Sequence, residues 1–166
     1  MPKKILVAYG SSAGSTAEAA DFIGGILAES SALVDVKPVE KIRNVTGYDE
    51  VVIGTNIRAG HIKGSVKNFV NRNKKALQNI PVALFVVCLT MKDDTPENRK
   101  KVSEWLGPIR AHIKPIDEGL FAGKVELAKL GFFARFIFEN MAKMKDHDYR
   151  DWEKVKSWAV GLSGKL

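Results

Sequence analysis

Three loops in this chain gather residue types suited to binding chemistry. The first is Gly10-Ser11-Ser12-Ala13-Gly14-Ser15-Thr16, set directly after the apolar run Lys4 to Tyr9 and directly before a helical pattern. A strand, a small polar loop and a helix start together cluster backbone N–H groups around a phosphate, at the positive end of the helix dipole. A dinucleotide fingerprint needs three spaced glycines, and this loop has two. A Walker loop ends in Gly-Lys-Ser/Thr, whereas Ser15 and Thr16 follow Gly14 with no lysine between them. A phosphatase loop needs a nucleophilic cysteine, and no Cys precedes Cys88. Hydroxyls and N–H groups without a cation suit a phosphate that is held, not one that reacts. The plainer alternative is a Ser/Gly turn that only caps a helix.

The second loop is Thr55-Asn56-Ile57-Arg58-Ala59-Gly60-His61-Ile62-Lys63-Gly64. Gly60 and Gly64 let backbone approach a flat ligand closely. Arg58 and His61 offer donors or positive charge; an incidental surface histidine is the competing reading. The third loop is Leu89-Thr90-Met91-Lys92-Asp93-Asp94. Met91 suits either the face of a ring or simple packing. Cys88, inside an apolar run, reads as inert core. No arrangement in the chain reads as a protein nucleophile or a metal site.

These loops must be held by the elements around them. Five apolar runs, Lys4 to Tyr9, Ala32 to Pro38, Glu50 to Thr55, Pro81 to Leu89 and Ile116 to Phe121, are rich in consecutive Val, Ile and Leu. That pattern fits strands buried on both faces of a parallel sheet. Helical stripes lie between them: Thr16, Ala20, Ile23 and Leu27; Val66, Phe69, Val70 and Leu77; Val102, Trp105, Leu106, Ile109 and Ile113; Trp152, Val155, Ala159 and Leu162. Gly24 and Gly25 weaken the first helix by about 1 kcal/mol each relative to Ala. Thr95 and Pro96 suit the start of the third, and Pro108 predicts a break near Gly107. The alternation predicts an α/β doubly wound, three-layer sandwich, with ligands at the carboxyl ends of the strands beside the switch point.

One segment does not fit that plan. About 27 residues, Lys124 to Arg150, separate the last strand from the last helix. That is too long for an ordinary connection, so residues 123–150 are expected to be an added element within a single 1–166 domain. Leu130, Phe133, Ile137, Met141 and Met144 share one helical face, widened by Phe132, Phe136 and Phe138 and edged by Lys129, Arg135, Lys143 and Lys145. A basic amphipathic helix suits a membrane interface or a large hydrophobic ligand. Packing on the protein's own core or on a dimer partner is the alternative.

The net charge is +7, from 26 Lys and Arg against 19 Asp and Glu. No basic stripe interleaved with aromatics is present, so nucleic acid is not expected as a partner. An anionic membrane surface, an anionic substrate or a merely solvated basic surface remain. The single cysteine excludes an internal disulfide and a Cys-based metal cluster within one chain. No apolar run reaches the roughly 20 residues of a membrane span. The first apolar run starts too close to Met1 to leave room for a signal peptide, and a cytoplasmic location is expected.

At Ser11, Gly14 and Thr16 the chain resembles the flavodoxin family, whose phosphate motif is Ser/Thr-x-Thr-Gly-x-Thr; Ala13 departs from it. The resemblance implies a five-stranded sheet in the order 2-1-3-4-5 and FMN as cofactor. It implies cofactor contacts from Ser11, Ser12, Ala13, Gly14, Ser15, Thr16, Asn56, Ile57, Arg58, Ala59, Gly60, His61, Leu89, Thr90 and Met91. Flavodoxins that carry electrons usually flank the ring with Trp and Tyr, which these loops lack. Ile57-Arg58-Ala59-Gly60-His61, the insertion, and Asp148-Tyr149-Arg150-Asp151-Trp152 are instead similar to menaquinone-dependent protoporphyrinogen oxidases, a flavodoxin-like branch. That branch implies an oxidoreductase passing electrons from a porphyrinogen-like substrate through FMN to a quinone, with Arg58 and His61 as candidate catalytic residues. The basic amphipathic pattern of the insertion makes peripheral membrane contact through residues 127–145 an expectation beside it. The alternatives are an electron carrier that serves redox proteins and has no substrate of its own, and a flavin-binding scaffold without turnover.

Overall fold

The computed structural model describes residues 1–129, 131–141 and 146–166. Five strands form a parallel sheet: β1 Lys4–Gly10, β2 Leu33–Pro38, β3 Glu50–Arg58, β5 Val82–Cys88 and β6 Asp117–Ala122, in the order β2-β1-β3-β5-β6. Numbered this way, the order differs from the expected 2-1-3-4-5 because of an extra two-residue strand. This is β4, His61–Ile62, which folds back antiparallel on β3 with Arg58 opposite His61. A two-residue loop joins β3 to β4. Ala59 (φ 49°) and Gly60 (φ 76°) both lie in the left-handed region, as a hairpin turn matched to strand twist requires.

Alternation within each strand divides the core into two layers. Leu6, Ala8, Val51, Ile53, Leu84 and Val86 face α2 (Gly64–Leu77), α3 (Pro96–Trp105) and α4 (Gly107–Arg110). Ile5, Val7, Val52, Ala83, Phe85 and Val87 face α1 (Ser15–Glu29) and α6 (Trp152–Ser163). All four expected stripes face this core, with Trp105 and Trp152 only half-buried. Thr95 caps α3, its side chain accepting from Asn98 N at 3.1 Å, and the helix breaks before Gly107 as Pro108 predicts.

Gly24 and Gly25 do not interrupt α1, which runs unbroken. A Cβ at Gly24 would stand 2.5 Å from Val36 Cγ2, so that glycine lets the helix lie close on β2.

The insertion leaves the sheet at Gly123 and returns at Tyr149, whose N–H donates to the Gly123 carbonyl at 3.2 Å. Its two feet, β7 (Lys124–Val125) and β8 (His147–Asp148), pair antiparallel. Between them stand a 3-10 turn, Leu127–Lys129, and α5, Phe132–Phe136, which runs into a π-helical turn, Ile137–Met141. The expected single amphipathic helix is therefore replaced by shorter pieces, because the wider π turn breaks the 3.6-residue repeat. Leu130, Lys143, Met144 and Lys145, and the side chains of Phe138 and Met141, lie outside the described residues.

Candidate functional site

The carboxyl ends of β1, β3 and β5 open into a cavity of about 360 Å³. The loop after β1 forms one wall. Gly14 turns the chain at φ 95°, and its N–H donates to Ser11 Oγ at 3.0 Å. The helix then starts at Ser15 with no side-chain cap among the described residues. Its first N–H groups have no partner within the helix and are free to donate to an anion. Ser11, Ser12, Ala13, Ser15 and Thr16 line this wall, and Gly14 gives the loop its turn between them.

β3 supplies the adjacent wall through Asn56, Ile57, Arg58 and Ala59. Asn56 Nδ2 donates to Ser12 Oγ at 3.2 Å, and Asn56 Oδ1 is buried with no partner among the described residues. His61 and Gly60 do not line the cavity: the hairpin turn carries them to its rim, where His61 is exposed. A Cβ at Gly60 would stand 3.1 Å from Trp105 Nε1, so the turn rests against the indole of α3. That indole is an aromatic neighbour which reading the loops one by one did not reveal.

The third wall comes from β5 and the turn after it, through Val87, Cys88, Leu89 and Thr90. Met91 is absent from the wall. It is 3% exposed and belongs to the α2/α3 core, so of its two readings packing prevails. Asn98 holds this turn by donating to the carbonyls of Thr90 (3.2 Å) and Asp93 (2.8 Å). Burial pushes the Cys88 thiol up, so it stays protonated at neutral pH.

Sequence reasoning missed the fourth wall. Gly123, Lys124, Val125 and Glu126, at the outgoing foot of the insertion, complete the cavity. An ionic network fixes both feet to the first turn of α1. Glu18 takes Lys124 at 3.2 Å and also pairs with Arg150, and Arg150 holds Asp148 at 2.8 Å. Arg150 lowers Asp148 to about 2 and draws Glu18 below its ordinary value; Asp148 in turn raises Arg150. Arg150 also lies over the ring of Trp152 at 4.8 Å, and Trp152 packs on Phe22 of α1. The Tyr149 ring stands 4.2 Å from that of His147, with Lys92 Nζ 5.7 Å from the Tyr149 centroid. The return of the insertion thus meets the turn after β5.

Two lysines also reach the phosphate loop, which had read as free of cations. Lys63 Nζ donates to Ser12 Oγ at 3.4 Å. Lys129 Nζ lies 3.7 Å from the position a Cβ would take at Gly14. Lys63 belongs to the loop after β3, and no local signal in the sequence places Lys129 here. Beyond the cavity, the aromatic face of the insertion is open. Phe132 is 88% exposed, Phe133 74%, Phe136 51% and Ile137 36%. These side chains do not pack on the protein's own core.

The cavity therefore offers an uncapped helix N-terminus, loop hydroxyls, an unsatisfied buried amide oxygen and a mixed apolar and polar lining. These features fit a phosphate monoester joined to a flat, partly polar ring system. Comparison with known proteins agrees. The family model described as Flavodoxin domain matches residues 6–151. The chain is 27% identical over 169 residues to protoporphyrinogen IX dehydrogenase (quinone) of Escherichia coli strain K12, covering 94% of this chain and 92% of that protein. It is 26% identical to the protein of the same name from Leishmania major, covering 94% of this chain and 73% of that one. Among solved structures, two-electron reduced Megasphaera elsdenii flavodoxin superposes with a TM-score of 0.62 at 15% identity, over 96% of this chain and 98% of that one.

Proposed function

The chain belongs to the flavodoxin domain family, and on that premise we propose that it is an FMN-dependent oxidoreductase that passes electrons from a porphyrinogen to a quinone. The observation that carries this reading is a phosphate-ready cavity at the sheet's switch point, closed by the insertion, in a chain whose named relatives align with 94% of its length. Bound flavin supplies the two-electron chemistry.

The protein's own residues bind, orient and enclose. The N–H groups and hydroxyls of Ser11, Ser12, Ser15 and Thr16 hold the phosphate, and Gly14 gives the loop its turn. Asn56, Ile57, Arg58 and Ala59 on one wall, with Leu89 and Thr90 on another, would hold the ring. Gly60 would let the β3–β4 turn approach the ring, and Met91 supports the turn after β5 from within the core. Arg58, on the cavity wall and free of ion pairs among the described residues, orients a substrate carboxylate. His61, at the rim, offers a donor where substrate enters. The protonated thiol of Cys88 lends the wall a weak donor and no nucleophile.

The open face of Phe132, Phe133, Phe136 and Ile137 receives an apolar partner. No helix among the described residues is long and apolar enough to cross a membrane. In this reading the face rests on a membrane interface, where quinones and porphyrinogens are met, and the +7 charge favours anionic lipid. An electron carrier without its own substrate is the second reading, favoured by the superposition on flavodoxin. The basic charge and this open aromatic face weigh against it.

Anaerobic mixing of the flavin-loaded protein with protoporphyrinogen IX, then with a menaquinone analogue, tests the proposal. Bleaching of the flavin absorption and its recovery are expected. Absence of bleaching, with reduction only by a partner redox protein, would return the chain to the carrier class.

A further inference from the structure

A loop that binds a phosphate dianion with neutral donors alone gains little from charge. Here two cations approach it, at Ser12 and at Gly14, neither belonging to the loop. Lys63 precedes α2, and its Nζ reaches Ser12 Oγ at 3.4 Å. Its stem crosses Gly10, where a Cβ would meet Lys63 Cδ at 3.0 Å and Val66 Cγ2 at 2.4 Å. The absence of a side chain at position 10 therefore lets the start of α2 and this lysine close against the end of β1. Among the described residues Lys63 has no carboxylate partner. Lys129 reaches the loop at Gly14 from the insertion, while its Nζ also holds Glu126 Oε2 at 3.0 Å.

We propose that Lys63 and Lys129 form a two-lysine clamp on the phosphate monoester, so that selection of FMN over riboflavin is set by α2 and the insertion and not by the loop alone. The inference rests on the flavin reading given above. Charge-assisted hydrogen bonds to phosphate are about twice as strong as neutral ones. The α1 N-terminus supplies geometry and half a unit of charge; the two lysines bring the site close to the two charges of the ligand. Because Lys129 stands at the root of the arm that carries the open phenylalanines, the ligand's phosphate also helps fix that arm to the body of the protein.

The test is a titration of apoprotein with FMN and with riboflavin, followed by flavin fluorescence quenching at low and high ionic strength. Wild-type protein is expected to prefer FMN, with a preference that shrinks as salt rises. Lys63→Met and Lys129→Met are each expected to weaken FMN binding by about tenfold or more, with riboflavin affinity unchanged. Lys63→Arg should keep most of the preference, and Lys67→Met, exposed on the same helix, should change neither ligand. Inorganic phosphate should compete with FMN for the wild type and compete less well for either variant. Equal losses for both flavins would assign the lysines a purely structural role and overturn the clamp, as would undiminished FMN affinity in either variant. Equal wild-type affinity for the two flavins overturns the clamp and leaves the flavin reading standing. A protein that binds neither flavin overturns both.

Discussion

Ala13 leaves the phosphate loop one hydroxyl short at a position on the cavity wall. Ala13→Thr is expected to tighten FMN binding by about 1 kcal/mol, roughly fivefold in Kd, if the new hydroxyl reaches the phosphate. Isothermal titration of apoprotein measures this, and an unchanged or weaker Kd would show that the space is needed for something else. At this scale the sequence is readable where the chemistry is local. Ser11, Gly14 and Thr16 carry their meaning in their spacing, and Arg58 does face the cavity. His61 and Met91 do not line the cavity, and spacing alone does not show this, because a two-residue hairpin turn and a short 3-10 turn decide which side chains face inward. Lys129 could not be found locally: it is more than a hundred residues from Gly14 and meets it only through the path of the insertion.

The strands and helices of the sandwich were legible because burial on both faces leaves a continuous apolar signature, and burial on one leaves a helical stripe. β4, β7 and β8 were not, since two paired residues carry no periodicity. The attachment of the insertion is likewise a matter of pairwise charge. Asp148 falls from 3.8 to about 2 and Glu18 falls below 4.5, both chiefly through hydrogen bonds to Arg150. With carboxyl pKa values lower in the attached state, the detached state binds more protons. Attachment is therefore fully supported above the ordinary carboxylate values and is lost as pH falls from 3.8 toward about 2. Pepsin cleavage within residues 131–141 should rise steeply over that window, ahead of global unfolding. Arg150→Ala should open the same region to neutral proteases at pH 7. Equal protection of the variant and the wild type would refute the role given to this network.

Across the whole molecule, the +7 charge and the four exposed apolar side chains of the insertion point to one partner surface. Replacing Phe132, Phe133 and Phe136 together with Ser removes apolar area that the folded chain does not bury. The thermal midpoint should move little, while sedimentation with vesicles rich in anionic lipid should fall by at least tenfold if each ring buries even about 1 kcal/mol of apolar surface there. Deletion of residues 127–145 should act in the same direction, and undiminished vesicle binding in either variant would exclude a membrane role for this face. The closing of the insertion on itself bears on how such a protein diversifies. Its chain departs and returns at the hydrogen bond between Tyr149 and Gly123, continued by two paired residues on each side. Everything beyond that point is a closed loop, and doubling a flexible loop's length costs only about 0.6 kcal/mol. The sandwich thus presents a socket at the edge of its cofactor cavity. A different segment can be plugged in there without changing the residues of the cavity's other three walls.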